Sequence, residues 1–222
     1  SGGSLYIRPL LFGSGARTGL QPADEYTLLI FVVPAGNYYK GGLQPVTGVV
    51  VENYDRAAPQ GVGSAKVAGN YAADLLPNIE SKKKGFPISL YLDAKTKTLV
   101  EEFSTSNFMG ITKDGKKYVT PESPAILPSI TNKSLMTLAE DEGLEVERRE
   151  IPIEEVGSFS EVGACGTAVV VTPVNSIVYK DQVIKIQEDS NTIGPWTTKL
   201  YERMQGIQFG KEDDKFEWMV KV

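Results

Sequence analysis

One lysine lies in a run of small residues that could hold it for covalent chemistry. Residues 61–71 contain three glycines and two alanines around Lys66. Small residues leave room for a flat molecule against the backbone, and a lysine amine that has lost its proton can attack a carbonyl carbon. Lys66 is therefore a Schiff-base candidate, although the same spacing also suits an ordinary solvated lysine.

Three other stretches offer groups that suit an anion or a ring. A helix predicted to begin near Asn132 follows residues 127–131, and a helix start offers unpaired amides and a favourable dipole to an anion. Residues 163–168 form a predicted small-residue turn, and Glu102 lies at the end of a predicted strand beside hydroxyl side chains. Each pattern also has a structural explanation: a capped helix start, a tight turn that needs glycine, and a solvated glutamate.

The composition excludes several classes of site. The 222 residues include no histidine and one cysteine, Cys165, so histidine triads, histidine metal sites and intrachain disulfides are excluded. A net charge of -5 with scattered basic residues gives no footprint for nucleic acid or an anionic membrane. We expect no metal site, and an intracellular, cytoplasmic protein, or an organellar one if a targeting peptide has been lost.

The elements that must position these groups are mostly strands. Strands are predicted at residues 4–13, 26–34, 46–51, 88–92, 99–103, 107–120 (a hairpin), 146–153, 168–174 and 178–186 (a hairpin). Helices are predicted at residues 70–84, 132–142 and 195–208, with a helical turn at 154–156. The second strand is a nearly continuous apolar run, typical of a strand buried on both faces. This order predicts an α+β fold.

Six short motifs lie along the chain at residues 5–9, at 61–71, at Glu102 with Thr105 and Asn107, at 126–131, at 166–168 and at 217–219. Through these motifs the chain resembles the branched-chain aminotransferases, fold type IV enzymes that use pyridoxal 5'-phosphate. The resemblance implies a D-amino acid aminotransferase-like fold. Residues 1–36 would be the last strands of the small domain, 37–46 an interdomain loop and 47–222 a large pseudo-barrel domain. Most of the small domain is expected to lie outside this chain.

The resemblance implies seven contacts to pyridoxal 5'-phosphate. Lys66 would form the Schiff base and later move a proton between substrate and cofactor, and Glu102 would bind the pyridine nitrogen. The remaining implied contacts are Tyr71 at the phenolic oxygen, Arg56 as a support, and Ile130, Thr131 and Thr167 around the phosphate.

The same resemblance implies transfer of an amino group from L-leucine, L-isoleucine or L-valine to 2-oxoglutarate. The substrate contacts that it implies are Tyr6, Thr167 and Ala168 for the α-carboxylate, Thr105 and Tyr38 for the side chain, and Arg8 for the distal carboxylate. The expected partners are amino acids, 2-oxo acids and a second copy of the chain in a homodimer, with no nucleic acid or membrane.

The chain departs from the family pattern at three places. Asn132 replaces a usual arginine, Phe108 and Met109 differ from the usual pair, and Val169 and Thr172 stand where some members carry a redox cysteine pair. No thiol switch of that kind is expected. Two alternatives stay open: another fold type IV enzyme, such as D-amino acid transaminase or aminodeoxychorismate lyase, or a non-catalytic fragment that needs a missing domain or partner chain.

Overall fold

A computed structural model describes residues 3–36 and 42–221 of the chain. It divides into two compact units, residues 1–40 and 41–222. The first unit is an antiparallel pair of strands, β1 (Ser4–Ser14) and β2 (Glu25–Ala35). Their apolar side chains are exposed, so the expectation that the second strand is buried on both faces is wrong for the described chain. Two strands alone have no further layer to cover their faces.

Within residues 42–221, the second unit contains nine strands and three α-helices. The strands are β3 (Val46–Val50), β4 (Ile88–Leu92), β5 (Val100–Phe103), β6 (Ser106–Thr112), β7 (Lys117–Pro121), β8 (Glu145–Arg149), β9 (Phe159–Gly166), β10 (Val170–Tyr179) and β11 (Gln182–Lys185). The helices are α1 (Ala68–Lys83), α2 (Ile130–Asp141) and α3 (Pro195–Gln208), with a 3-10 helix at Ile153–Ser158.

Six of these strands close into a ring. The pairing runs from β10 through β3, β4, β5, β6 and β9 and returns to β10. The β10–β3 and β3–β4 pairs are parallel, and the other four pairs in the ring are antiparallel. A closed ring leaves its strands without free edges, so the spacing between their ends is set by hydrogen-bond register.

The strand β9 was not predicted from the sequence. Residues 163–166 were expected to be part of a turn, but they continue the strand, and the turn covers residues 167–169. A side chain at Gly163 would place its Cβ 2.6 Å from Val171 Cγ2, which is too close. Small residues are needed there because β9 fits tightly beside β10, and the same residues weaken the local strand signal.

Another strand boundary differs near Pro152. The predicted strand 146–153 ends at Arg149, and the 3-10 helix then begins at Ile153 with Pro152 at its N-cap. Strand β8 ends where its partner β7 ends, because Arg149 pairs with Pro121, and Ile151 and Ile153 bond residues 98–100 instead. The predicted helical turn at 154–156 lies within this 3-10 helix and is confirmed.

Consecutive residues of β6 serve two separate cores. Phe108 stacks on Phe103 with ring centroids 5.9 Å apart and belongs to a cluster built from strand side chains and the 3-10 helix. Met109 faces the other way and packs with Leu135 of α2 and Leu200 of α3. This alternation follows from the two-residue period of a strand. The second core fastens α2 to the strands that carry the candidate site.

Candidate active site

The loop that carries Lys66 is tied to the start of α1. Helix α1 begins at Ala68, two residues before the predicted start, and its N-cap has no side-chain hydrogen bond. Instead, the buried Asn70 side chain donates from Nδ2 to the carbonyls of Val62 (2.7 Å) and Ala65 (2.9 Å). This role of Asn70 was not predicted from the sequence. The available signal was its residue type, because asparagine readily bonds nearby backbone groups.

The amine of Lys66 is held by a tyrosine on the same helix. Lys66 Nζ donates to the Tyr71 hydroxyl at 2.7 Å. Lys66 is exposed and Tyr71 is half-buried. The amine is therefore both oriented and open to a ligand.

The lysine loop presses against the segment that leads into α2. A Cβ on Gly63 would lie 2.1 Å from the Ala125 carbonyl oxygen, so only glycine permits this approach. Arg56 Nη2 donates to the same carbonyl at 2.5 Å. These contacts fix the loop beside residues 125–127.

Glu102 is a buried carboxylate whose two oxygens differ in their number of polar partners. Its Oε1 pairs with Arg56 and accepts the amide of Leu127 at 3.0 Å. Its Oε2 accepts Asn107 Nδ2 at a longer 3.3 Å, and that amide group also donates to the Leu127 carbonyl at 2.9 Å. Since a carboxylate oxygen can accept two hydrogen bonds, Oε2 keeps room for a further donor.

The protonation of Glu102 is balanced near neutrality. Burial raises its pKa to about 7, while the charge of Arg56, the Leu127 amide and, more weakly, the charge of Lys66 pull it down. The Lys66 loop and the Glu102 carboxyl meet at one segment, because Gly63 lies against Ala125 and Glu102 accepts the amide of Leu127. A cationic donor at Oε2 would favour the ionised form.

The start of α2 leaves two amides open. The helix begins at Ile130, two residues before the predicted start, because Ser129 is the N-cap and its Oγ accepts the Asn132 amide at 3.1 Å. The Lys133 amide bonds the Ser129 carbonyl at 3.0 Å. Across residues 3–36 and 42–221, the amides of Ile130 and Thr131 have no hydrogen-bond partner. Two donors at a helix start form an anion-binding arrangement.

The turn between β9 and β10 offers a second set of donors. Thr167 and Ala168 are exposed in this turn. A Cβ on Gly166 would lie 3.6 Å from Ser106 Cβ and 3.8 Å from the Thr105 carbonyl oxygen, so the Thr105 turn is its neighbour. Strand register connects this turn to the buried carboxylate.

The register runs from Glu102 to the residue before that turn. Glu102 pairs with Asn107 across β5 and β6, and Asn107 pairs with Cys165 across β6 and β9. Because Cys165 precedes Gly166 directly, the carboxylate and the turn lie at one end of the ring. Contacts and strand register thus connect the predicted site residues of the second unit. The predicted cofactor residues among them are Arg56, Lys66, Tyr71, Glu102, Ile130, Thr131 and Thr167, and the predicted substrate residues are Thr105, Thr167 and Ala168.

Two predicted substrate residues lie in the first unit. Tyr6 and Arg8 share a face of β1, and the Arg8 guanidinium carbon lies 5.1 Å from the centre of the Tyr6 ring. They line an open concavity of about 500 Å³ together with Leu10, Phe31, Val33 and Ala35. Tyr38 lies outside the described residues.

The candidate site thus combines the reachable Lys66 amine, the buried Glu102 carboxylate, the open amides of Ile130 and Thr131, and the exposed turn that contains Thr167 and Ala168. This set suits a flat ring that carries a reactive carbonyl, a basic nitrogen and an anionic substituent. No cluster of three acidic or cysteine side chains suited to a metal occurs among the residues described. Within the same residues, no helix has the length and apolarity to cross a bilayer.

Comparison with known proteins gives one consistent family. Residues 1–177 match "Amino-transferase class IV". The chain is 43% identical over its whole length to a branched-chain-amino-acid aminotransferase of Haemophilus influenzae and spans 66% of that protein, just under two thirds.

Solved structures agree with this match. The branched-chain amino acid aminotransferase of Escherichia coli superposes with a TM-score of 0.84 at 28% identity, covering 98% of this chain and 70% of that one. The T.th. enzyme of the same name, complexed with N-(5'-phosphopyridoxyl)-L-glutamate, gives a TM-score of 0.84 at 25% identity, covering 97% of this chain and 68% of that one. These results confirm the expected fold type IV architecture with its barrel-like sheet. The chain belongs to the class IV aminotransferase family.

Proposed function

We propose that this protein is a branched-chain aminotransferase. It would use pyridoxal 5'-phosphate to transfer the amino group of L-leucine, L-isoleucine or L-valine to 2-oxoglutarate. The observation that carries the proposal is the Lys66 amine, oriented by Tyr71 in a loop that packs against the same 125–127 segment as the buried Glu102 carboxyl. The names of the relatives from Haemophilus influenzae and Escherichia coli support the choice of substrate.

The donors and acceptors of the site fit this cofactor. Glu102 Oε2 has room for one more donor, which suits a protonated ring nitrogen. The open amides of Ile130 and Thr131 suit a phosphate. The T.th. relative was solved with a phosphopyridoxyl compound, which supports the same assignment.

When bound, pyridoxal 5'-phosphate supplies a carbonyl carbon that accepts amines and a ring that draws electrons from the neighbouring bonds. Lys66 would hold the cofactor covalently and then move a proton to and from the substrate α-carbon. Glu102 would keep the ring nitrogen protonated, with Arg56 beside it to favour the carboxylate form. Tyr71 would bind the phenolic oxygen and orient the lysine.

The substrate contacts are proposals at the level of single residues. The amides of Thr167 and Ala168, with Tyr6, would bind the α-carboxylate. Arg8 would bind the distal carboxylate of 2-oxoglutarate, since a guanidinium suits a carboxylate. Thr105 would line the side-chain pocket. Tyr38 is proposed for that pocket from the sequence alone.

The domain assignment is likewise proposed: residues 1–36 as the last strands of the small domain, 37–46 as the interdomain loop and 47–222 as the large cofactor-binding domain. An intracellular, cytoplasmic location also stays a prediction, and fractionation of producing cells would test it.

A homodimer is proposed as the working form. Leu75, Leu76 and Ile79 on α1 are exposed by 61%, 54% and 51%, and positions 75 and 79 lie one turn apart on the helix. Exposed apolar side chains on one helix face favour association. Sedimentation velocity of the purified protein would test the dimer, and a monomer at micromolar concentration would contradict it.

The proposed reaction is tested by visible absorbance of the protein with pyridoxal 5'-phosphate. The band of the lysine-bound cofactor should bleach with L-leucine and return with 2-oxoglutarate. In Lys66→Ala, transamination should fall at least about 1000-fold, because both the covalent link and the proton carrier are lost. Mass spectrometry after borohydride reduction should find the adduct in the wild type and not in this variant.

The matched control is Lys95→Ala, which removes another lysine, in the turn after β4, and should behave as the wild type. An adduct at the wild-type level in Lys66→Ala would refute the assignment. Faster turnover of D-alanine than of L-leucine would point to a different substrate in the same fold.

A further inference from the structure

A chain of buried hydrogen bonds runs from the start of α2 into the sheet. The Tyr118 hydroxyl donates to Asn132 Oδ1 at 2.6 Å. Asn132 Nδ2 donates to Thr120 Oγ1 at 3.0 Å, and that hydroxyl donates to the Phe108 carbonyl at 2.7 Å. Asn132 therefore links the first turn of α2 to β6 and β7 through both ends of its side-chain amide.

The tyrosine end of this chain lies near the β9–β10 turn. Tyr118 and Cys165 are both fully buried and belong to the same core, and Cys165 directly precedes Gly166. The three donors point in one direction, from the Tyr118 hydroxyl to the Phe108 carbonyl.

The direction of this chain is insensitive to pH. Burial raises the pKa of the Cys165 thiol to about 12 and raises the pKa of Tyr118 well above its ordinary value. Both groups stay protonated in the neutral range, so the Asn132 amide keeps one orientation.

Apolar packing alone does not account for these polar groups. Leu135 and Leu138 already fasten α2 to the sheet, and a phenylalanine could fill the space of Tyr118. Buried hydrogen bonds differ from apolar contacts because they fix direction and distance. The hydrogen-bond chain, with Tyr118 in the same core as Cys165, connects the start of α2 to the turn that contains Thr167.

We propose that Tyr118 and Asn132 are positioning residues that hold these two segments at the separation at which both bind one phosphate. This inference rests on the proposed binding of pyridoxal 5'-phosphate. Neither residue would touch the phosphate, because Tyr118 is buried and the Asn132 amide and side chain are already engaged. Their effect would be specific to the phosphate group rather than to the ring.

The test compares the affinity of the ligand-free protein for pyridoxal 5'-phosphate and for pyridoxal, which lacks the phosphate. In Tyr118→Phe, the affinity for the phosphate form should fall about tenfold and that for pyridoxal less than about twofold. The matched control is Tyr91→Phe, which removes another buried hydroxyl, bonded to Asp74 at 2.7 Å. It should leave the ratio of the two affinities unchanged even if it lowers stability.

Two further measurements test the positioning role. Thr120→Val breaks the other end of the chain and should lower the same ratio about threefold. Inorganic phosphate should raise the melting temperature of the wild type more than that of Tyr118→Phe. An unchanged ratio in both Tyr118→Phe and Thr120→Val would overturn the positioning role alone. A wild-type protein without preference for the phosphate form would overturn the cofactor proposal as well.

Discussion

The starts of α2 and α3 lie in the same unit and differ in which groups accept hydrogen bonds from their first amides. At α3, Pro195 has no amide hydrogen, and the buried Glu161 carboxylate accepts the amides of Trp196 (3.0 Å) and Thr197 (2.7 Å). The protein's own carboxylate therefore satisfies this helix start, as an anion would.

At α2 the protein supplies fewer acceptors for the first amides. Ser129 Oγ takes only the Asn132 amide, and the amides of Ile130 and Thr131 stay open across the described ranges. No proline begins this helix, and the nearby carboxylate of Glu102 is turned to Arg56 and Leu127. A helix start is therefore a candidate ligand site where the chain itself leaves amide donors without acceptors.

The largest effect is expected from removing the carboxylate that accepts the first amides of α3. Glu161→Ala would leave two amides at α3 without a partner and should lower the free energy of unfolding by about 3 kcal/mol. Urea denaturation measures this. Glu140→Ala on the exposed face of α2 is the control and should change stability by less than about 0.5 kcal/mol. A loss below about 1 kcal/mol for Glu161→Ala would mean that the two helix starts do not differ as described.

The second effect concerns Glu102 and pH. Its pKa is about 7 in the folded protein against an ordinary 4.5, so the folded state binds this proton more tightly than the unfolded chain. The resulting stabilisation is fully present below about pH 4.5 and is lost as pH rises through 7, on the order of 3 kcal/mol in total. Glu102→Gln lacks this titration.

Chemical denaturation of ligand-free protein between pH 4 and 8 checks the sign. The free energy of unfolding of the wild type should fall relative to that of Glu102→Gln as pH rises. Parallel curves for the two proteins would contradict the raised pKa. At Glu161, by contrast, each carboxylate oxygen already accepts a backbone amide of α3.

The smallest effect comes from making the start of α2 resemble that of α3. Ile130→Pro deletes one amide donor and should weaken binding of pyridoxal 5'-phosphate about tenfold. The helix should tolerate it, because proline suits the first helical position and Ser129 is extended, with φ -89° and ψ 127°. Ile130 is 77% exposed, so little packing is lost.

Ile130→Ala is the matched control, since it removes the same side chain and keeps the amide. Equilibrium titration followed by absorbance gives both affinities, and thermal melts of the two variants should agree within a few degrees. Equal affinities of the alanine and proline variants would mean that the amide of residue 130 does not bind the ligand.

Elements with strong local signals could be predicted from the sequence. The helix Pro195–Gln208 has the predicted boundaries, because a proline at its first position marks the start. The strand β9 lacked such a signal, since Gly163 is required by its close approach to Val171 of β10 and not by the strand itself. The exposure of β2 could not be read from its apolar run, because burial depends on which layers cover a strand.

The candidate site likewise contains some residues that could be predicted from the sequence and others that could not. Lys66 and Glu102 could be proposed from residue type and motif, and the structure places the Lys66 loop and Glu102 against the same segment, residues 125–127, while their roles stay predictions. The residues that hold them could not be found locally. The contact between Gly63 and Ala125 and the bonds from Asn107 to Leu127 join distant parts of the chain. Such contacts follow from strand order, which no short sequence window contains.

The closed ring of strands has a consequence for how the second unit opens. A strand at the edge of an open sheet can separate alone, whereas each strand of the ring from β10 to β9 has neighbours on both sides. Fraying should therefore begin at β11 and β8, which each have one partner, and reach β7 only after β8 separates, whereas slow amide hydrogen exchange should be shared by the six ring strands. The groups around Glu102 and Thr167 would then keep their spacing until the whole unit unfolds.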